Sequence, residues 1–321
     1  RFMREKEIKL GGRGMAVNEI EHLTKDYGYG RGVFDVTFQV GKGEVYGFLG
    51  PNGAGKTTTI RHIMGFSKPQ KGTTKVNGKN SWTFASEIQK SLGYLPGEIA
   101  LPENLTGTQF IEMMAELRKL KDMSYTRQLM ERFDLDPSGS LKRMSLGMKR
   151  KLAIVTAFMH DPSVLVLDEP TSGLDPIMQQ HFIDFIKEEK ERGKTILLSS
   201  HIFKEVEATC DIISIIKDGR LISTISAEEL HNVTIKTYEA ELKYDEEFYK
   251  LQEELKANPT IVLKKSVPEK RQIIVQVDGL AINDLIACLA KYEMKFFSEI
   301  PFTLEDYFMG FYDRNLAKVG G

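Results

Sequence analysis

The hydrophobic pattern divides the chain before any motif does. From Val17 the apolar positions gather into strand-length runs, and "VNEIEHL" (17–23), "VFDVTFQV" (33–40) and "EVYGFLG" (44–50) predict three strands. The third ends in glycines, and a helix opens after it through "KTTTIRHIM" (56–64). "KVNGK" (75–79) predicts a tight hairpin around Asn77-Gly78. From Thr106 to about His160 the pattern is helical, in three amphipathic stretches broken at "DLDPSGS" (134–140) and neighbouring turns. Strand character returns in "SVLVLDEP" (163–170) and "KTILLSS" (194–200), with a helix from about Pro176 between them. After "IISIIKDGRLIS" (212–223) the aliphatic density falls and the composition shifts.

The last hundred residues carry a pattern of their own. A strand (235–243) leads to a helix (246–257) and two strands (260–265, 272–277); a second helix (281–292) and a last strand (294–300) follow. The order β-α-β-β-α-β predicts a split βαβ, or ferredoxin-like, plan. "TLEDYFMGFY" (303–312) reads as an amphipathic helix. At the other end, residues 1–14 show no period and end in glycines, as a flexible leader would, with Met15 a plausible native start.

Composition narrows the classes. A formal net charge of −1 over 321 residues leaves no basic footprint for a nucleic-acid backbone. The two cysteines, Cys210 and Cys288, lie far apart without a partner motif, which excludes a disulfide framework and suits a reducing compartment. No apolar stretch approaches the roughly 18 residues of a membrane span. The longest, "LAIVTAFMHDPSVLVL" (152–167), is broken by His160, Asp161 and Pro162. The expectation is a cytoplasmic protein that can still sit beside a membrane.

The glycine loop carries the first chemistry. "GPNGAGKT" (50–57) fits G-x-x-x-x-G-K-[ST] without a gap, between a strand and a helix. Glycines serve there because backbone N–H groups must close around phosphate oxygens and a Cβ would block the approach. The helix that follows points its free N–H groups at the same anion. Gly50, Asn52, Gly53, Ala54, Gly55, Lys56, Thr57 and Thr58 are the candidate nucleotide contacts. Lys56 adds a mobile charge for the outer phosphates, and Thr57 offers a hydroxyl to Mg²⁺. "VLVLDEP" (164–170) then places two carboxylates where a buried strand reaches the edge of the sheet. Asp168 is the expected second Mg²⁺ contact and Glu169 the group that polarises an attacking water. Loop and carboxylates are expected to line one crevice at adjacent strand ends.

From here the residues resemble one family, the ATP-binding cassette (ABC) ATPases. "TSGLDP" (171–176) resembles that family's D-loop, carrying Asp175, and "ILLSSH" (196–201) ends on His201 where the family has its switch histidine. "LTKDYG" (23–28) puts Tyr27 where these proteins stack an aromatic ring on adenine. "MSLGMKRKLAI" (144–154) is similar to the serine–glycine signature LSGGQ. There Ser145 can cap the helix and Gly147 keeps the backbone open, a second anion site that in the family takes the γ-phosphate held by the opposite subunit. Two positions depart from it, Leu146 for a glycine and Met148 for the glutamine. "SLGYLPGEIALPENLT" (91–106) aligns with the Q-loop, with Gly97 at the glutamine position and Glu98 beside it. Glu98 reads equally as a substitute metal ligand and as a charged loop residue.

The resemblance covers roughly residues 17–225. It implies an α/β P-loop NTPase of ABC type over 15–225, built from a RecA-like core, an antiparallel β subdomain and a helical subdomain at about 98–160. A smaller α+β accessory domain occupies 226–321. It also implies an ATPase that uses ATP and Mg²⁺, dimerises with a second ABC ATPase subunit, and drives a separate transmembrane permease from the inner face of the membrane. "YLPGE" (94–98) resembles the branch that serves small drug or peptide exporters. Two other readings stand beside it: a soluble ABC ATPase acting on DNA or ribosomes, and a degenerate nucleotide-sensing regulator. One phosphate loop, no sustained heptads and near-neutral charge oppose the first. The retained Lys56, Asp168, Glu169 and His201 oppose the second.

Overall fold

The computed structural model describes residues 16–231 and 235–309. The leader expected over 1–14 lies outside them, and so does the end of the helix expected at 303–312, whose described part is helical over 304–309. The chain forms two compact units, divided between Ala227 and Glu228.

In the first unit, β1 (Ala16–Asp26) pairs antiparallel with β2 (Gly32–Gly41), and β3 (Val45–Leu49) runs into α1 (Lys56–Ile63). Next, β4 (Lys71–Val76) pairs with β1 and turns back into β5 (Lys79–Asn80). Asn77 and Gly78 hold φ of 49° and 73° there, the left-handed pair that the hairpin turn requires. These strands form one antiparallel sheet, β2-β1-β4-β5. Two elements then appear that the pattern did not predict, α2 (Ala85–Ser91) and β6 (Gly93–Leu95). Seven and three residues are too short to show a period.

Helices α3 (Gly107–Arg118), α4 (Ser124–Arg132) and α5 (Leu146–Phe158) follow as three separate stretches. A capping box between Thr106 and Gln109 fixes the start of α3, each side chain bonding the other's backbone N–H. Then come β7 (Val164–Asp168), α6 (Pro176–Glu191), β8 (Thr195–Ser200), α7 (Phe203–Thr209), β9 (Ile212–Lys217) and β10 (Arg220–Ser226).

The second sheet has the order β10-β9-β3-β8-β7-β6, parallel except for β10. Strands β3, β7 and β8 are buried at every residue, with α1 against β7 and α7 against β3 and β8. Burial on both faces is why these strands read as continuous apolar runs. Phe38 of β2 stacks on Tyr46 and Phe48 of β3, with ring centroids 5.0 and 5.2 Å apart, and so ties the two sheets together.

One expectation needs correcting. The strands bearing the glycine loop and the paired carboxylates, β3 and β7, are not neighbours, because β8 lies between them. Leu49 pairs with Ser200 and Asp168 with Ser199. The pairing of β3 with β8 joins segments about 150 residues apart, and no local period encodes it.

A short α8 (Ala227–His231) spans the division. The second unit then runs β11 (Ile235–Leu242), α9 (Asp245–Ala257), β12 (Ile261–Val267), β13 (Gln272–Asp278), α10 (Ile282–Leu289) and β14 (Met294–Ile300). Its antiparallel sheet has the order β12-β13-β11-β14, the ferredoxin-like arrangement expected from the alternation. Tyr238, Ala240 and Leu242 on β11 and Ile273, Val275 and Val277 on β13 turn one sheet face into a core with Phe248, Leu251, Leu255 and Leu285. In the helix over 304–309, Leu304 and Phe308 are buried four residues apart, as one helix face would be.

Candidate functional site

Four parallel strand ends meet at one edge of the first unit's sheet. In the order β3, β8, β7 and β6 they deliver the glycine loop, His201, the Asp168–Glu169 pair and Gly97. The site is a consequence of this order.

The loop after β3 is shaped by backbone. Gly53 and Gly55 hold φ of 81° and 109°, and a Cβ on Gly55 would lie 2.8 Å from Val33. Gly55 also precedes α1 as its N-cap, without a side-chain hydrogen bond and with no acid in the first turn. The helix therefore begins with free N–H groups and positive potential facing the loop. Lys56 is 4 % exposed, and its ammonium donates to the carbonyls of Gly50 (2.7 Å) and Pro51 (3.2 Å). It also stands 3.1 Å from Glu169 Oε1.

Glu169 joins the loop to the switch position. Its backbone holds φ of 47°, unusual for a residue with a side chain, and its N–H donates to the Ser199 carbonyl at 3.0 Å. Strain of this kind is held by surrounding structure and is common where a side chain must be aimed. Its other carboxylate oxygen lies 3.2 Å from His201 Nδ1. Lys56, Glu169 and His201 therefore form one chain of contacts.

Asp168 is fully buried. Burial raises its carboxyl above the usual range, while Ser199, which donates to Oδ1, and the nearby Thr57 hydroxyl pull it down. Oδ2 has no hydrogen-bond partner. A Cβ on Gly97 would lie 3.1 Å from that oxygen, so the loop after β6 packs its bare backbone onto Asp168. Glu98, next along, is exposed.

The signature residues have a different setting. Ser145 is exposed and caps α5, accepting from the Met148 N–H at 3.2 Å. Leu146 is 60 % exposed, and a Cβ on Gly173 would lie 2.9 Å from its side chain. A Cβ on Gly147 would lie 3.2 Å from the Gly173 carbonyl. Asp175 caps α6 through the N–H groups of Ile177 and Met178, which hold its carboxyl below the usual range. Tyr27 is half exposed, with the Lys25 ammonium 5.7 Å from its ring centre.

Sequence reasoning missed Arg150, Glu205 and the serines at the end of β8. Arg150 is 2 % exposed and donates to three backbone carbonyls. Glu205 is also 2 % exposed; Ser200 donates to it, and burial raises its carboxyl to about 7. The signal was present in weak form: two serines closing the aliphatic run "TILLSS", and an arginine in the helix that turns apolar at "LAIVTAF". Among the described residues, no group of three or more His, Cys, Asp or Glu is arranged to hold a metal, and no helix is long and apolar enough to cross a membrane.

Known proteins match this arrangement. The family described as ABC transporter matches residues 33–172. The bacitracin transport ATP-binding protein BcrA of Enterococcus faecalis is 36 % identical over 218 residues, 67 % of this chain and 71 % of its own length. The uncharacterized ABC transporter ATP-binding protein YdbJ of Bacillus subtilis (strain 168) is 31 % identical over 297 residues, 90 % of this chain and 93 % of its own. Among solved structures, an ATP-binding subunit of an ABC transporter superposes with a TM-score of 0.61 at 32 % identity, covering 67 % of this chain and 92 % of that one.

Proposed function

This chain belongs to the ABC transporter family as an ATP-binding protein with ATPase activity, and from that premise we propose that it is the motor subunit of an exporter. In this reading two ABC subunits close around two ATP, and a separate transmembrane permease follows their closing and opening. The observation that carries it is the contact chain Lys56–Glu169–His201 at the mouth of the glycine loop, beside the buried Asp168.

The roles follow from that geometry. A triphosphate offers Lys56 several anionic oxygens in place of one carboxylate, so binding moves the ammonium from Glu169 to phosphate. Glu169 is then free to accept a proton from an attacking water, with His201 beside it to orient the γ-phosphate. The unpartnered Asp168 Oδ2 next to the Thr57 hydroxyl fits a hard divalent cation. Asp168 and Thr57 would hold Mg²⁺, which supplies charge neutralisation to the β- and γ-phosphates. Tyr27, half exposed, is available to stack on adenine.

Ser145, Gly147 and Asp175 are assigned to the facing subunit's nucleotide. Ser145 and Asp175 are exposed and Gly147 half-buried, all at helix N-termini, where a γ-phosphate brought by a second chain would meet the positive end of α5 and the Ser145 hydroxyl. Export, and a cargo of peptide or drug type, are supported by the bacitracin transport named for the Enterococcus relative. A direct test is affinity capture of this chain from cells that also express the membrane protein encoded beside it. Co-purification at fixed stoichiometry, with ATP hydrolysis stimulated by the cargo, is expected. A chain that hydrolyses ATP but binds no membrane protein contradicts the transport reading.

A further inference from the structure

Arg150 lies one turn into α5, on the helix that Ser145 caps. Its guanidinium is buried, at 2 % exposure, and points away from solvent into backbone. Nη1 donates to the Pro96 carbonyl at 2.9 Å, Nη2 to the Gly97 carbonyl at 2.7 Å, and Nε to the Ser172 carbonyl at 2.9 Å. The first two carbonyls belong to the loop after β6, and the third to the turn that follows Glu169. One side chain thus joins α5 to the two segments that continue beyond the ends of the paired strands β6 and β7.

Position 97, where the resemblance has a glutamine, is a glycine, so this position has no side chain to reach a nucleotide or report its presence. What it has is close packing, since a Cβ at Gly97 would already lie 3.1 Å from Asp168 Oδ2. Any displacement of Gly97 therefore changes what covers the buried carboxylate. Hydrogen bonds of 2.7–2.9 Å do not survive a slip of an ångström, so α5 cannot shift without carrying both loops or breaking all three bonds. The donors of a lysine all radiate from one nitrogen, whereas the planar fork of an arginine reaches the three carbonyls from three separate nitrogens.

We propose that Arg150 is a positioning residue that binds α5, the Pro96–Gly97 backbone and the turn at Ser172 into one moving piece, so that contact at Ser145 is transmitted to Asp168 and Glu169. In this chain the link that a glutamine side chain would provide is made through backbone carbonyls. The inference rests on the nucleotide site proposed above.

The test uses Arg150→Lys and Arg150→Met in the full chain, with steady-state ATP hydrolysis and peptide-resolved hydrogen exchange. Turnover is expected to fall roughly 10- to 100-fold with KM for ATP within about threefold of the unmodified chain, because the phosphate loop is intact while the catalytic groups are misplaced. Hydrogen exchange should rise in peptides spanning 94–98 and 170–175 and stay unchanged in β3 and β8. Unchanged turnover, or exchange rising evenly across the first unit, overturns the proposal.

If neither variant folds, the unmodified chain supplies the answer. With a slowly hydrolysed ATP analogue, peptides 94–98, 145–150 and 170–175 should gain protection together. A response confined to 50–58 overturns the link. Lys56→Ala separates the two failures. If nucleotide affinity is unchanged in that variant, the site itself is wrong; if affinity is lost while Arg150→Lys turns over normally, only the link is wrong.

Discussion

Two faces of the first unit do opposite things with polar groups. At the strand-end crevice they are paired with one another and, His201 and Glu169 apart, buried: Lys56 with Glu169, Glu169 with His201, Asp168 with Ser199, and Glu205 with Ser200. At the signature face they are exposed and serve as caps, with Ser145 on α5 and Asp175 on α6. A buried charge is costly unless it is satisfied, so the crevice is held together by its own residues and organised before a ligand arrives. An exposed cap costs little and waits for a partner. The contrast divides the labour: one face is organised within a single chain, and under the proposed function the other meets the nucleotide of a second subunit.

The largest expected effect breaks the crevice at its reacting group. Glu169→Gln should lower ATP turnover by about 10²–10⁴ with nucleotide binding retained, read by phosphate release beside equilibrium binding. A loss below tenfold would remove Glu169 from the chemistry. Next, Lys56→Ala should weaken ATP binding by roughly 100-fold, about 3 kcal/mol, in calorimetry. Unchanged affinity there would end the phosphate-loop assignment.

Glu205 sharpens the comparison through pH. Its folded carboxyl is raised to about 7 from the ordinary 4.5, so its contribution to stability is fully present below about pH 4.5 and lost as pH rises through 7. The stability difference is on the order of 3 kcal/mol at most. Glu205→Gln should therefore flatten the melting temperature between pH 5 and 8 and raise stability at pH 8. A variant that keeps the wild-type pH slope assigns that slope elsewhere. The smallest effect belongs to the exposed face: Ser145→Ala should cost about 1 kcal/mol of stability through the lost cap. Its effect on hydrolysis should grow as the concentration of chain rises, whereas a concentration-independent loss would place Ser145 within its own chain's site.

The two faces were also unequally legible in the sequence. The glycine loop could be read because its chemistry is local: eight consecutive residues specify both the turn and the ligand. Asp168, Glu169 and His201 could be read as the ends of aliphatic runs, and the structure brings them to one edge together with Lys56. The insertion of β8 between β3 and β7 could not be read, since strand order is set by packing between distant segments. Arg150 and Glu205 escaped for a related reason: their burial depends on loops from other strands, and a charged residue within a helix ordinarily signals a solvated face. The second unit was the converse case. Its alternation of apolar and polar residues encodes which side of each strand is buried, and strand lengths and connections leave little choice of order.

The central claim is that one nucleotide is held by Lys56 of its own chain and Ser145 of another. It is tested most directly by the molar mass of Glu169→Gln in light scattering, with and without saturating ATP. The account predicts a single-chain mass without ATP, a doubled mass with it, and no doubling when Ser145→Arg is added to block the exposed cap. A mass that stays single at saturating ATP, or doubles equally with Ser145→Arg, contradicts it.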